Sequence, residues 1–475
     1  MLATLLLLPV FAAAIALARV PDRARLQLFR AVAFAHLALA IGLWNRPAEH
    51  LFGGYIALDA VGLLVLTPMS ALFAGIAIYL GGYLRRAERR SHRIFIAALL
   101  LLQASLTLAA ASQHMGLFWV ALETSTLVSA PLLYFHHTGR ALEATWKYLI
   151  VGSVGIALAL LGTVFLAIAA TDASGDTTLF IRDLTAGTVH LAKPWLHAAF
   201  VLLLMGYGTK MGLAPMHAWK PDAYGEAPPP VAGLLAGTAT NCAFLGVLRA
   251  TQICAHAGEV KFASSLLVLL GLVSLAVAAI FIVGQADYRR LLAYASVEQM
   301  GVLVFGLGFG VMGAQGSLLH VINNALNKGI LFLAAGNLLQ LYGTSAIAGV
   351  AGALRRAPAT GAILIAGLFA AVGLPPFGLF VSEFVILRAA IAGGASAWPA
   401  ALYLGFLAVI FLGMCVAILP MAQGESSRDE APLHEPASTI LPPMAFASAA
   451  LVLGIYVPRP LAAMIESAAR QLGGG

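Results

Sequence analysis

In this chain of 475 residues, 61% are hydrophobic and 10% are Asp, Glu, Lys or Arg. A soluble domain carries about 25% charged residues, so a soluble enzyme is excluded, and fourteen membrane helices of about 20 residues would take up roughly 280 positions, close to the whole apolar fraction. The net charge of +7 is assigned to loops facing the cytoplasm rather than to a nucleic-acid partner. Cys242, Cys254 and Cys415 stand singly, without the spacing that holds zinc or an iron–sulfur cluster, so no metal, no cofactor and no redox centre is expected in the chain itself.

The first apolar run has no basic residue before it and Arg19, Arg23, Arg25 and Arg30 after it. A cleavable signal peptide has the reverse order, so this run is read as a retained first helix with its N-terminus outside. Apolar runs between polar breaks then predict helices near 2–18, 27–45, 58–83, 94–113, 115–134, 144–170, 195–219, 227–250, 264–285, 291–312, 315–341, 359–391, 398–423 and 437–458. With that orientation one set of loops holds Arg19, Arg23, Arg25, Arg30, Arg85, Arg86, Arg89, Arg90, Arg93, Arg140, Lys147, Lys220, Arg289, Arg290, Arg355, Arg356 and Arg428. The other holds Arg46, Arg182, Lys193, Arg249, Lys261, Arg388, Arg459 and Arg470. Positive charge collects on the cytoplasmic side, so both termini are placed on the outer side of a bacterial or archaeal cytoplasmic membrane.

GLAPM from Gly212 is echoed by GLPPF from Gly373, each inside a long apolar run and each near a charge, Lys210 or Glu383. Proline inside a helix removes a donor and breaks it, and breaks at corresponding places in two halves point to a transport site. The order of chemistry also repeats: Glu123, Lys147 and the Lys210/Pro215 break, then Glu298, Lys328 and the Pro376/Glu383 break. The expectation is an all-α polytopic membrane protein of about 14 transmembrane helices, with two inverted five-helix repeats (helices 4–8 and 9–13) and broken helices 7 and 12. Its parts are three N-terminal helices in 1–93, a first repeat in 94–250, a second in 264–423, and a loop with the last helix in 424–475.

An ionised side chain at mid-membrane costs at least about 2.5–3.5 kcal/mol, so each buried charge asks for a function. Glu123 lies between apolar turns, and Lys210 immediately precedes a proline break. A buried carboxylate and ammonium take up or release a proton as the distance between them changes. His320, Asn324 and Lys328 follow at i, i+4 and i+8, on one helix face over about 12 Å. Such a stripe can order water into a proton wire, with histidine accepting on one nitrogen and donating from the other. Asn323 and Asn327 fall off it and read as packing contacts. Glu383 stands where a broken helix would open toward water, and Glu298 sits one or two turns into its helix. These give Glu123, Lys210, His320, Lys328 and Glu383 as proton-translocating residues, with Lys147, His217, Asn241, Glu298 and Asn324 as accessory ones. Gly308, Gly310 and Gly313 spell GxGxxG without a preceding strand, which excludes a dinucleotide site, and His136 and His137 lack metal-ligating neighbours.

The stretches KMGLAPMHAWKPDA from Lys210, DYRRLLAYASVEQMG from Asp287, His320 to Gly336 and Gly373 to Glu383 resemble one family. It is that of the antiporter-like membrane subunits shared by complex I, membrane-bound [NiFe] hydrogenases and Mrp antiporters. EATWKYLIVGSVGIALALLGT from Glu143 and SVEQMG from Ser296 are most similar to hydrogenase-4 component F. The resemblance implies that Glu123 is the helix-5 glutamate, Lys210 its helix-7 lysine partner, Lys328 the central helix-11 lysine, Glu383 the charged residue of helix 12, and His320 the first helix-11 histidine. Two positions depart from it. Asn324 stands where many members have a second histidine, and Asn241 where some have a helix-8 lysine. About 17 residues follow the last predicted helix, so the long lateral helix of one complex I member is not expected. The implied function is that of a proton-translocating subunit of a redox-driven membrane complex, assembled with other membrane subunits of the family and a peripheral [NiFe] hydrogenase and iron–sulfur module. The alternative is a subunit of an Mrp-type antiporter exchanging Na+ or K+ for protons. A scaffold that conducts nothing has no reason to keep costly buried charges.

Overall fold

A computed structural model of the chain describes residues 1–46, 48–86, 92–171, 175–187, 189–393, 397–425 and 433–472. Arg89, Arg90 and Arg428, counted above among the cytoplasmic charges, lie outside the described residues. The described chain is helical, with isolated backbone bridges but no sheet strand. The elements are α1 (Leu2–Leu17), α2 (Asp22–Gly42), α3 (Ala60–Arg86), α4 (Arg93–Ala111), α5 (Met115–Leu133), α6 (Gly139–Ala169), the short α7 (Ile181–Thr185) and α8 (Lys193–Met211). Next come α9 (Trp219–Glu226), α10 (Pro229–Leu234), which runs through a π-helical stretch Leu235–Ala239 into α11 (Thr240–His256), then α12 (Val260–Ile282), α13 (Tyr288–Leu307) and α14 (Gly310–Tyr342). The chain closes with α15 (Ala353–Arg356), α16 (Pro358–Ala371), α17 (Gly378–Gly393), α18 (Trp398–Gln423), α19 (Ala437–Ile455) and α20 (Arg459–Leu472). Among the described residues, 11 helices are long and apolar enough to cross a membrane, and Leu2–Leu17 and Pro358–Ala371 are shorter apolar helices.

Two predicted helices are discontinuous. The one expected over 195–219 stops at Met211, where Gly212 turns left-handed at φ 77°, and helix resumes only at α9. The one expected over 359–391 stops at Ala371, Gly373 takes φ 64°, and helix resumes at α17. Glycine adopts this backbone at no steric cost, so each break ends a helix without strain. A further element was not expected: residues after the last predicted helix form the amphipathic α20, whose Leu461, Ile465, Ala468, Ala469 and Leu472 are buried.

Small residues let the helices approach closely, the usual route to packing where lipid is as apolar as the side chains. A methyl group added at Gly155 of α6 would stand 2.5 Å from Thr209 Cβ, and one at Gly206 of α8 would stand 2.5 Å from Ala159 N. This contact lays α6 along α8 and carries Tyr148 to Lys210. At the centre lies α14, buried along nearly its whole length, with α3, α10, α13, α16, α17 and α19 packed around it.

The helix ends tie together in two groups. In one, Asp22 accepts from His92 N, Lys147 and Arg290 both pair with Asp222, Asp287 bonds Ser345, and Glu435 accepts from Ala359 N and Thr360 N. In the other, Tyr55 O accepts from Gln113 N, Gln113 O from Ile181 N, and Glu259 pairs with Lys193 and His197.

Candidate functional site

The first cluster forms where α5, α6 and α8 meet. Lys210, 3% exposed, donates from Nζ to Thr126 Oγ1 at 2.7 Å and to the Tyr148 hydroxyl at 2.9 Å, and Tyr148 bonds Ser129 Oγ at 2.7 Å. Glu123 is one helical turn before Thr126 on α5 and half-buried, and its Oε2 has no hydrogen-bond partner. Glu123 and Lys210 feel each other electrostatically without a direct ion pair. The Thr126 hydroxyl, bonded to Lys210, stands on the Glu123 side of the ammonium. This open pairing suits ion transfer better than a closed bridge would, because a buried closed pair is costly to open.

The second cluster gathers around α14. Lys328 is 2% exposed and donates to Ala295 O of α13 at 3.3 Å. Glu298, one turn along α13, accepts from Gln299 Nε2 at 3.1 Å and is in electrostatic contact with Lys328. Glu383 of α17 reaches back across its break: a methyl group at Gly373 would overlap Glu383 Oε2, while Oε1 is buried without a partner. The missing side chain at 373 therefore makes room for the carboxylate.

His320, Asn324 and Lys328 do share a buried stripe, but no two of them bond each other. His320 Nδ1 meets Ser382 Oγ of α17 at 2.9 Å, Asn324 donates to Asn241 Oδ1 of α11 at 3.2 Å, and Lys328 turns to α13. The stripe is a seam touching three helices rather than a contact chain along one. Asn241 also donates to Gly237 O in the π-helical stretch and to Val321 O, so the two asparagines singled out as departures from the family pattern hold each other. Asn323, off the stripe, caps the second break by donating to Gly378 O.

Lys147 lies at the rim, half-exposed, bridging Glu143 at 2.7 Å and Asp222 at 3.0 Å, and Arg290 meets Asp222 at 3.1 Å. His217 is half-buried beyond the first break, near the rings of Phe281 and Tyr294. Lys220 was placed in a cytoplasmic loop, and this is corrected. Its side chain is fully buried and donates to Met211 O at 2.6 Å and Ser296 O at 3.2 Å. The polar run WKPDAYGE hid it, because α9 lies against the core and points Asp222 outward and Lys220 inward.

Residues 112–411 match the family described as NADH:quinone oxidoreductase/Mrp antiporter, TM. The chain belongs to this family. It is 33% identical over 380 residues to the hydrogenase-4 component F homolog of Methylacidiphilum infernorum, covering 79% of this chain and 78% of that protein. With the NADH-quinone oxidoreductase subunit N of Desulforudis audaxviator it shares 30% identity over 424 residues, 86% of this chain and 83% of that one. A chain in the solved structure of the membrane-bound sulfane sulfur reductase, an archaeal respiratory membrane complex, has the same fold, with a TM-score of 0.88 over 99% of this chain and 97% of that chain at 21% identity. Both clusters fall inside the matched span, whereas α1 to α4, α19 and α20 lie outside it.

Proposed function

We propose that this chain is the proton-translocating subunit of a redox-driven membrane complex, in which it moves ions and partner subunits carry out the electron chemistry. The observation that carries the reading is the placing of buried titratable groups at helix breaks: Lys210 ends α8, and Glu383 packs into the Gly373 break. Broken helices with charges at the gap are how membrane proteins hold an ion without stranding backbone groups in lipid. Glu123 and Lys210 form one translocating pair, and Lys328, Glu298, His320 and Glu383 form the other group, with Lys147, His217, Asn241 and Asn324 as accessory positions. At about 2.3 kcal/mol per charge per 100 mV, moving a proton against roughly 150 mV requires about 3.5 kcal/mol. Rearranging one buried ion pair is enough for that.

Fourteen spans complete this reading. Counting α1, and joining the halves across each break, the proposed arrangement is two inverted five-helix units in 94–250 and 264–423, preceded by 1–93 and followed by 424–475. The positive-φ glycine ending the first helix of each break supports the equivalence of the units. The two groups of tied loops support alternating passage through the membrane, with the N-terminus and α20 on the outer side of a prokaryotic cytoplasmic membrane. The likeness to a hydrogenase-4 component F homolog favours a group 4 [NiFe] hydrogenase, formate hydrogenlyase-like or complex I-like partner set: other membrane subunits of the family plus nickel–iron and iron–sulfur proteins.

The test is purification of the native complex in mild detergent with identification of its subunits and metals, followed by reconstitution and proton uptake driven by its own donor. Nickel–iron and iron–sulfur subunits with redox-driven uptake are expected. A complex of membrane subunits alone, exchanging Na+ for protons without an electron donor, overturns the redox reading in favour of an Mrp-type antiporter.

A further inference from the structure

Between the two clusters lies the fully buried Lys220, which the reading above does not use. Lys220 and Lys328 donate to neighbouring carbonyls of one turn of α13, Ser296 O and Ala295 O, and the two ammonium groups act on each other. Two cations sharing one buried turn repel, and the carboxylate of Glu298 acts on Lys328. Like charges in a low-dielectric site repel strongly, so a proton on one amine is felt at the other. On its other side Lys220 reaches the first cluster. It caps the last turn of α8 through Met211 O, one residue beyond Lys210. Its ammonium lies 5.9 Å from the centre of the Tyr224 ring. Tyr224 is fully buried, its hydroxyl has no hydrogen-bond partner, and it lies within electrostatic reach of Tyr148, the residue bonded to Lys210. Ser296 Oγ is likewise buried and unpartnered. A buried hydroxyl left unpaired costs about 1–3 kcal/mol, and ordered water is the usual remedy. Of the other contacts joining the halves among the described residues, Asn241 with Asn324 contains no titratable group, Arg289 bonds the Tyr224 and Ala227 carbonyls with a guanidinium that keeps its proton, and Arg290 with Asp222 lies at the rim.

We propose that Lys220 is the proton relay between the two clusters, receiving from Lys210 by way of Tyr148, Tyr224 and intervening water, and delivering to Lys328. In each step an N–H or O–H bond to the donor breaks as a bond to the acceptor lone pair forms, so no electrons are exchanged and no co-reactant is needed. The proposal rests on the translocation reading.

The experiment measures proton movement in sealed vesicles carrying the intact complex, at equal complex content, for Lys220→Gln, Lys220→Arg, Tyr224→Phe and the reference variant Lys328→Ala. Glutamine keeps N–H donors but has no titratable proton, and arginine keeps the charge but does not release its proton. Both are expected to move protons at least about a hundredfold more slowly than the parent, the low end of the factor typical of a lost proton-transfer group, and Tyr224→Phe several-fold more slowly. Normal rates in Lys220→Arg show that a fixed charge suffices and overturn the relay, as do normal rates in Lys220→Gln. Should Lys220→Gln fail to assemble, Lys220→Arg decides alone, and should neither Lys220 variant assemble, normal rates in Tyr224→Phe overturn the proposal. If Lys328→Ala also moves protons normally, the translocation reading falls, an outcome distinct from failure of the relay alone.

Discussion

Single residues carry two kinds of expectation, one about transport and one about stability. In the α14 seam only Lys328 and His320 titrate, and only Lys328 faces the carboxylate-bearing α13. Lys328→Ala should lower proton movement at least tenfold, whereas His320→Gln, still able to bond Ser382 Oγ, should slow it and shift its pH profile. Asn324→His places a ring beside Asn241, which can donate to it or accept from it, and should be tolerated. Full activity in Lys328→Ala with a dead Asn324→His would make the seam a packing surface. A second residue-scale expectation concerns Arg249, 2% exposed, whose guanidinium meets Asp59 across α11 and the start of α3. Asp59→Asn leaves the Arg249 charge unmatched at a half-buried pair, a loss smaller than the roughly 3–5 kcal/mol of a fully buried one. The purified protein should then unfold at a clearly lower temperature, while Asp59→Leu with Arg249→Met should recover most of the difference. Glu123, Lys210, Lys328 and Glu383 were legible because charge is scarce in an apolar sequence and stands out. Lys220 was not, since its neighbours are polar and only the path of α9 shows that it turns inward. The Asn241–Asn324 bond was also out of reach, because it joins residues far apart in the chain and no spacing rule connects them.

Elements were legible where periodic apolar runs are long. The spans over 58–83, 94–113 and 398–423 differ from α3, α4 and α18 by at most a few residues at each end. The two breaks were visible as GLAPM and GLPPF, but not the length of chain they cost, because apolar residues continue across both. The missed α20 has a different cause. It is amphipathic rather than apolar, so a search for spans passes over it, and its role is to cover α14, α3 and α11 with one oily face. The second break makes the sharpest element-scale test. Gly373→Ala puts a methyl group where the Glu383 carboxylate rests and asks alanine to hold φ 64°, a conformation that costs of order 1–3 kcal/mol outside glycine. The variant should be destabilised by about that amount and should lose most proton movement through displacement of Glu383. Equal loss of transport in Gly310→Ala, at a positive-φ glycine with open space around it, would show that the effect is general strain rather than the carboxylate site.

At the scale of the whole molecule, what fixes the arrangement is which helix ends share a side. One tie on the side assigned to the exterior is pH-sensitive. Glu259 has its carboxyl held below its ordinary value of 4.5 by hydrogen bonds from Lys193 and His197. A carboxyl lowered in the folded state adds stability above its ordinary value, and that stability is lost as pH falls through the lowered one. The parent protein should therefore lose thermal stability below about pH 4.5 more steeply than Glu259→Gln, and equal slopes would remove this tie from the balance. The sidedness itself was read from the distribution of Lys and Arg; the structure buries Lys220 and Arg289 of the cytoplasmic set, and Arg249 of the other set inside α11, which takes two charges from one side and one from the other without reversing the excess. Lys147, Asp222 and Arg290 meet in one cluster of helix ends, and Lys193, His197 and Glu259 in another. Single cysteines at the exposed Arg140 and Lys261, in a background with the partly accessible Cys415 replaced, test the sidedness directly. Between these positions the proposed count places α6, the α8–α9 broken helix and the α10–α11 helix, an odd number of crossings. An impermeant maleimide should label Arg140→Cys only in inside-out vesicles and Lys261→Cys only in right-side-out ones. Labelling of both from one side would mean that one of those three does not cross, and the pairing of the two five-helix units would fail with it.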